Sequence, residues 1–301
     1  MNTWLTAPKL ICVTLISACT LAVSLGSSPV WAGDPFRTND VRDIPENTEA
    51  AFEAIFKQGD YDRALEYLAI AEKSESSEPL AYAMRASLAY TDQDWETLKD
   101  YALKTQQVAE SLQSQDSLRG NLYLAVGYFL EGAYKYKIDE QPLAALNQLQ
   151  KVFAFLDEAE KNAPEDPELN LLKGYMELLL AVNLPFSAPE QAIEKFQRNA
   201  APEYLVNRGI AVAYRDLNQH DKALDFVNRA LTATPDNPEL FYLKAQILLE
   251  KGQDENNLSF LQQAVAYFDR SLAKAEQLPS SLVKQIERER RKAQTEVEEI
   301  D

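Results

Sequence analysis

Apolar residues recur along most of the chain with the period of an amphipathic helix. Ala64, Leu68 and Ala71 place small, large and small side chains at i, i+4 and i+7, which lie on one helical face. Similar spacings begin at Ala192, Ala223 and Ala264. The pattern predicts packed helices and an all-α fold.

A second pattern marks where these helices begin. Pro167 is followed after seven residues by Gly174, and Pro202 by Gly209. Proline suits the first turn of a helix, and the acid that usually follows it is favoured by the helix dipole. Because seven residues make two turns, a small side chain there allows a second helix to approach closely. The same spacing of seven residues separates Pro238 from Ala245 and Pro79 from Ala86.

The two patterns alternate and therefore predict helical hairpins. The starts at Pro167, Pro202 and Pro238 are 35 and 36 residues apart, and Pro45 lies 34 residues before Pro79. In this spacing the chain resembles a tetratricopeptide-repeat (TPR) protein, whose unit is a helix-turn-helix of about 34 residues. Residues 57–67 and 217–224 are most similar to the family's turn and second helix.

The resemblance implies a right-handed, all-α solenoid of antiparallel helical hairpins. About six hairpins are expected over 45–277, with an expanded third one at 116–166. Extra residues occur near 183–187 and 253–257. Residues 278–301 are expected to form a capping helix, since a terminal repeat would otherwise expose its apolar face. Residues 33–44 are polar and aperiodic, which predicts a mobile linker.

The N-terminal 32 residues are typical of an export signal. Lys9 precedes an apolar run, and small residues follow it up to Ala32, which predicts cleavage after Ala32. Lipidation at Cys19 is one alternative, and an uncleaved membrane anchor is another. The apolar run from Leu10 to Leu25 has 16 residues, which is short for a full span.

Composition narrows the chemistry that the chain can carry. Its 47 acidic and 30 basic residues give a net charge of −17, which opposes binding to nucleic acid or to anionic lipid. The single histidine, His220, fits a packing role, and both cysteines lie within the export signal. Phosphate-binding and dinucleotide-binding glycine loops are absent from the sequence. We therefore expect no catalysis, cofactor or metal, and a hydrolase of unrecognised type is a minor alternative.

The resemblance also implies a concave groove, lined by the first helix of each hairpin, that holds a peptide or helix of a partner protein. The family's pattern carries eight candidate groove residues onto this chain: Tyr90, Tyr128, Leu171, Tyr175, Ile210, Tyr214, Tyr242 and Gln246. Tyrosine suits an adaptable binding surface, but it is also common in TPR helices as a packing residue. The Lys and Asn clamp of chaperone-binding members is missing, because Glu49, Ala83 and Val206 stand at such positions. A neutral or basic ligand with apolar anchors is expected.

The functional prediction is a non-catalytic scaffold or assembly factor, monomeric and exported. Exported TPR proteins of bacteria, including photosynthetic species, are often found in envelope assembly, secretion and membrane-complex biogenesis, so the resemblance implies one of these roles. The acidic mature chain, with no cysteine and one histidine, suits either a periplasm or a thylakoid lumen. One alternative is a carrier of a small molecule or glycan, with a pocket lined by Tyr123, Tyr128 and Phe129. Self-assembly through the repeat ends is another. The basic, aromatic stretch 134–137 either grips an acidic segment or is the exposed end of an amphipathic helix.

Overall fold

A computed structural model describes residues 33–138, 142–183 and 189–300, and every regular element in these ranges is helical. The predicted signal cleavage, Cys19 and the extra residues at 184–187 lie outside the described residues. The first six helices are α1 (Glu46–Glu53, continued by a π-helical turn over Ala54–Gln58), α2 (Tyr61–Ser74), α3 (Pro79–Asp92), α4 (Trp95–Leu112), α5 (Ser117–Lys137) and α6 (Pro142–Asn162). They are followed by α7 (Pro167–Asn183), α8 (Pro189–Phe196), α9 (Glu203–Asp216), α10 (His220–Ala233), α11 (Pro238–Asp254), α12 (Leu258–Leu272), a 3₁₀ turn at Ala275–Gln277 and α13 (Ser280–Ile300).

These helices form six consecutive hairpins, α1/α2 to α11/α12, and a final helix. The all-α solenoid expected from the sequence is confirmed. Side-chain caps fix many helix starts: Asp60, Asp94 and Asp116 each accept a hydrogen bond from a backbone N–H three residues later. The extra residues at 253–257 partly lengthen α11, which runs to Asp254 before the turn.

Small residues bring neighbouring hairpins together, as the sequence predicts. A Cβ atom on Gly174 of α7 or on Gly209 of α9 would overlap the ring of Phe196, which lies between the two helices. Ala86 and Ala245, at the equivalent positions of α3 and α11, are fully buried. The small residue seven positions after each proline of α7 and α9 therefore lets Phe196 of α8 pack closely against both first helices.

The third hairpin is expanded in the structure. Its helices α5 and α6 have 21 residues each, whereas α2, α3, α9 and α10 have 14. Gly120 and Gly127 of α5 face α4 so closely that a Cβ atom on either would overlap Gln113 or Gln106. At the other end of the chain, α13 packs on α12 and buries Ile286 and Ala293.

Residues 33–44 differ from the mobile linker that the sequence suggests. Phe36 and Ile44 are buried, and the ring of Phe36 packs edge-on against Phe52 of α1 at 5.0 Å. Arg37 and Arg42 both form ion pairs with Asp166, at the start of α7. Two isolated apolar residues give no periodic signal, and their partners lie elsewhere in the chain. We call residues 33–44 the N-terminal strap.

Candidate functional site

A buried cluster of charges joins the starts of three first helices. Arg119 of α5 donates to Glu78, which caps α3, at 2.7 and 3.0 Å, and to Glu168 of α7 at 3.2 Å. Tyr123 donates its hydroxyl to Glu168 at 2.5 Å. Burial, with the carboxylate of Glu168 beside it, raises the pKa of Tyr123 well above 10. The tyrosine is therefore a neutral donor.

The N-terminal strap completes this cluster. Arg42 approaches Glu168 at 2.5 Å and Asp166 at 3.1 Å, and Arg37 also binds Asp166. Arginine and carboxylate groups alternate, so that the buried charges compensate one another. The cluster attaches the strap to the starts of the first helices and is structural.

The first hairpin packs against the fifth and sixth. Tyr61, at the start of α2, donates its hydroxyl to Glu239 of α11 at 2.9 Å, and Arg208 of α9 binds the same carboxylate at 2.5 Å. The side chain of Asn237 donates to the carbonyl of Phe56 at 3.2 Å. The contacts of Tyr61 and Asn237 join residues 178 and 181 positions apart. We call them the closing contacts.

A backbone turn makes this approach possible. Gly59 follows the π-helical turn and has a left-handed φ of 67°. A Cβ atom there would overlap the ring of Pro238. The glycine of the TPR-like turn thus satisfies both the turn and a close contact with α11. The sequence predicts the first role, but the second depends on the tertiary fold.

Five of the eight candidate groove residues are tyrosines, and each ring packs against an aromatic ring of the second helix in its own hairpin. The ring centroids are 5.1 to 6.1 Å apart in the five pairs, which are Tyr90 with Trp95, Tyr128 with Phe155, Tyr175 with Phe196, Tyr214 with Phe226 and Tyr242 with Phe268. Tyr90 is the most open of the five, with 42% of its surface exposed. The tyrosines therefore pack within hairpins, as the packing interpretation of the sequence expects.

The other candidate groove residues also have internal partners. Leu171 and Ile210 are buried in the core. Gln246 hydrogen-bonds Tyr242 and Glu289 of α13, while Tyr175 donates to the carbonyl of Leu205. The structure does not bring the eight residues together as one open surface. Their role in binding stays a prediction.

A cleft of about 210 Å³ lies between α6 and α7. Glu160 of α6 and Lys173 of α7 form a 2.5 Å ion pair at its wall. The apolar lining residues are Phe129, Val152, Phe153, Leu156, Met176 and Leu180, and the charged ones are Asp157, Glu160, Lys173, Glu177 and Lys195. We call this the α6–α7 cleft.

An apolar stripe on α6 continues from the cleft over the protein surface. Leu143 is 77% exposed, Leu146 is 48% exposed and Phe153 is 42% exposed. The adjacent face of α6 buries Val152 and Leu156. A helix that is apolar on two faces has more apolar surface than packing against one neighbour requires. The apolar residues of α6 are visible in the sequence and were the signal that could have indicated this site.

The remaining candidates have structural partners. The Nε2 atom of His220 lies 2.9 Å from the carboxylate of Asp254, linking the start of α10 to the end of α11. The three residues proposed for a small-molecule pocket are separated: Tyr123 is in the charge cluster, Tyr128 stacks on Phe155, and Phe129 lines the α6–α7 cleft. In the basic stretch at the end of α5, Tyr134 is buried and Tyr136 is exposed.

The described residues contain no group of three or more His, Cys, Asp or Glu side chains arranged to hold a metal ion. Within the same ranges, no helix combines the length and the apolar character needed to cross a membrane.

Known proteins show two similarities to this chain. A sequence profile of the tetratricopeptide repeat matches residues 50–97, 187–238 and 208–279. These segments of the chain resemble tetratricopeptide repeats. A solved structure described as "Human IFIT1 dimer with m7Gppp-AAAA" is similar at 17% identity and a TM-score of 0.46. The match covers 84% of this chain and 58% of the IFIT1 chain. No curated protein matches the sequence.

Proposed function

We propose that this TPR protein is exported and binds a segment of a partner protein at the α6–α7 cleft and along the apolar stripe of α6. TPR folds generally mediate protein–protein interaction. The observation that carries the choice of site is the exposed row of Leu143, Leu146 and Phe153, which leads directly into the cleft. Exposed apolar side chains that lie beside a cleft are typical of a binding site.

Charge determines which partner segment suits the site. Asp157 and Glu177 line the cleft and have no ion-pair partner among the described residues, whereas Lys173 is already paired with Glu160. Lys195 lies at the α8 edge, and the whole chain has a net charge of −17. The proposed occupant is an amphipathic helix with aliphatic or aromatic anchors and basic flanks.

Paired peptides test the site and its charge preference. One helical peptide carries leucines at i, i+3 and i+7 with lysine flanks, and its twin carries glutamate flanks. The lysine peptide should bind the chain 33–301 at least tenfold more tightly, and Phe153→Ser should weaken that binding by about tenfold or more. Ile70→Ser is the matched control, because Ile70 of α2 has similar exposure. Equal binding of both peptides, or equal effects of both substitutions, contradicts the proposal.

Photo-crosslinking distinguishes this site from the concave tyrosines. Probes replace Phe153, Tyr90 and Ile70 in the chain 33–301, which is mixed with an extract of the native cell envelope. A polypeptide captured at Phe153 and displaced by the lysine peptide supports the α6–α7 cleft. Capture at Tyr90 alone contradicts binding at the α6–α7 cleft and supports binding in the groove.

Export and the monomeric state are part of the same proposal. The signal features of residues 1–32 support export to a periplasm or thylakoid lumen, with Cys19 lipidation as the competing route. A reporter fused after residue 44 should become exported and lose residues 1–32, and Cys19→Ser should leave its mass and location unchanged. Retention of the lipid-modified form contradicts cleavage after Ala32. Light scattering at several concentrations should give one monomer mass, and a rising mass contradicts the monomer.

A further inference from the structure

Gly33 lies directly against an acidic side chain of α1. Its backbone N–H donates to Oε2 of Glu49 at 2.6 Å. A Cβ atom on residue 33 would lie 2.5 Å from Oε1 of the same carboxylate. The contact joins the start of the N-terminal strap to the first turn of α1.

The residues that follow Gly33 hold it in this position. The carboxylate of Asp34 accepts hydrogen bonds from the backbone N–H groups of Phe36 at 2.8 Å and Arg42 at 3.1 Å. Phe36 and Ile44 are buried. The nitrogen of Gly33 is therefore fixed beside Glu49 by a packed segment.

The carboxylate of Glu49 has a charge that the described residues do not balance. Among them, no Lys, Arg or His side chain lies within ion-pair distance of Glu49. Its partner is instead the nitrogen of the residue that directly follows Ala32. A cation at that nitrogen would complete the pair.

We propose that Glu49 is the binding site for the chain's own processed N-terminus, the α-ammonium group of Gly33. This inference rests on the proposed export. A signal peptidase adds water across the Ala32–Gly33 amide, which leaves a carboxylate on Ala32 and, with the proton taken up, an ammonium group on Gly33. The single N–H donor thereby becomes a charged group with three donors, and a hydrogen bond with one charged partner becomes an ion pair. Processing completes the attachment of the strap.

Three recombinant chains test the ammonium site independently of export. The first begins at Gly33, the second retains Ala32, and the third begins at Gly33 but is N-acetylated. The first should melt about 2–4 °C higher than the other two, because only it places the charge beside Glu49. Glu49→Gln should abolish this difference in Tm. Glu46→Gln, an exposed acid in the same helical turn, should preserve it.

Equal Tm values for the three unsubstituted chains overturn the ammonium site. So does a difference that persists in Glu49→Gln. N-acetylation leaves the sequence unchanged and therefore keeps the test valid where a Glu49 variant folds poorly.

The cleavage position needs its own measurement on the full chain. The intact mass of the exported protein should correspond to a first residue at Gly33. An exported chain that begins elsewhere overturns this inference while export stands. A full-length chain that remains inside the cell contradicts the proposed export, whereas the Tm comparison still decides whether Glu49 can hold the ammonium group.

Discussion

At the scale of single residues, Glu75 compensates for a helix start that cannot cap itself. Pro45 precedes α1 and offers no side-chain acceptor. Glu75, just after α2, accepts hydrogen bonds from the backbone and side chain of both Asn47 and Thr48, at 2.7 to 2.9 Å. Burial opposes ionisation, but these four hydrogen bonds outweigh it and lower the pKa of Glu75. The first hairpin thus depends on an N-cap supplied by its second helix.

We predict that Glu75→Ala lowers the free energy of unfolding by about 1–2 kcal/mol at neutral pH, as loss of an N-cap does. The pKa of Glu75 is lower in the folded chain than the unfolded value of about 4.3. The stabilisation is therefore present above that pH and is lost as the pH falls through the folded pKa. Urea unfolding across this range measures the difference, with the exposed Glu66→Ala as control. A pH-independent difference contradicts the explanation.

Three acids that follow prolines show that the burial of a side chain cannot be predicted from its local sequence. By sequence alone Glu168, Glu203 and Glu239 are equivalent. Each is an acid in the first turn of a helix, where the helix dipole favours it. In the structure Glu203 is exposed, whereas Glu168 and Glu239 are buried against arginines. Their local sequences are almost the same, so the distinction comes from partners that only the tertiary fold brings near.

At the scale of helices, the recurring spacings of proline and small residues predict most of the fold, because they reflect contacts between neighbouring segments. Pro167, Pro202 and Pro238 mark the starts of α7, α9 and α11 to within one residue. The length of the third hairpin was also predictable. The N-terminal strap was not, because its buried residues have no helical period. The apolar stripe of α6 was readable in principle, as a helix with two apolar faces.

The contact between α7, α8 and α9 yields a test at this scale. A Cβ atom on Gly174 would lie 2.5 Å from a ring carbon of Phe196. We predict that Gly174→Ala lowers the free energy of unfolding by about 1 kcal/mol, since overpacking costs about 1–3 kcal/mol and the gain in helix propensity is about 1 kcal/mol. Chemical denaturation measures the change. In the Phe196→Leu background the same substitution should cost nothing.

Gly132 of α5 provides the control for this prediction. The nearest atom that its Cβ would meet, Cβ of Gln148, is 3.3 Å away. Gly132→Ala should therefore be neutral or slightly stabilising. Equal destabilisation by both substitutions would show that crowding against Phe196 is not the cause.

At the scale of the whole molecule, the closing contacts distinguish this chain from an open repeat array. In an open solenoid each repeat touches only its neighbours. Here Tyr61 and Arg208 meet at Glu239, and Ser281 donates to the carbonyl of Thr91 at 3.0 Å. The stability of the first hairpin is thereby coupled to that of the last.

Glu239→Gln should show this coupling. We predict that it lowers the free energy of unfolding by about 1.5–3 kcal/mol, because it removes charged hydrogen bonds at a buried site. It should also accelerate amide hydrogen exchange in residues 46–74, far away in sequence. Glu203→Gln, which follows a proline in the same way but is exposed, should leave exchange there unchanged. Faster exchange confined to α11 contradicts the coupling.

The distance in sequence between Tyr61 and Glu239 also sets an order of events during biosynthesis. The first hairpin leaves the ribosome or an export channel long before its partner, which follows 178 residues later. Contacts of such wide separation form late and slowly. Until then the nascent N-terminal half displays apolar and aromatic side chains to every neighbouring chain, which is the condition that invites aggregation. A chain truncated before residue 239 lacks this partner and stays in the exposed state. The first hairpin therefore completes its packing only after the C-terminal third of the chain has been synthesised.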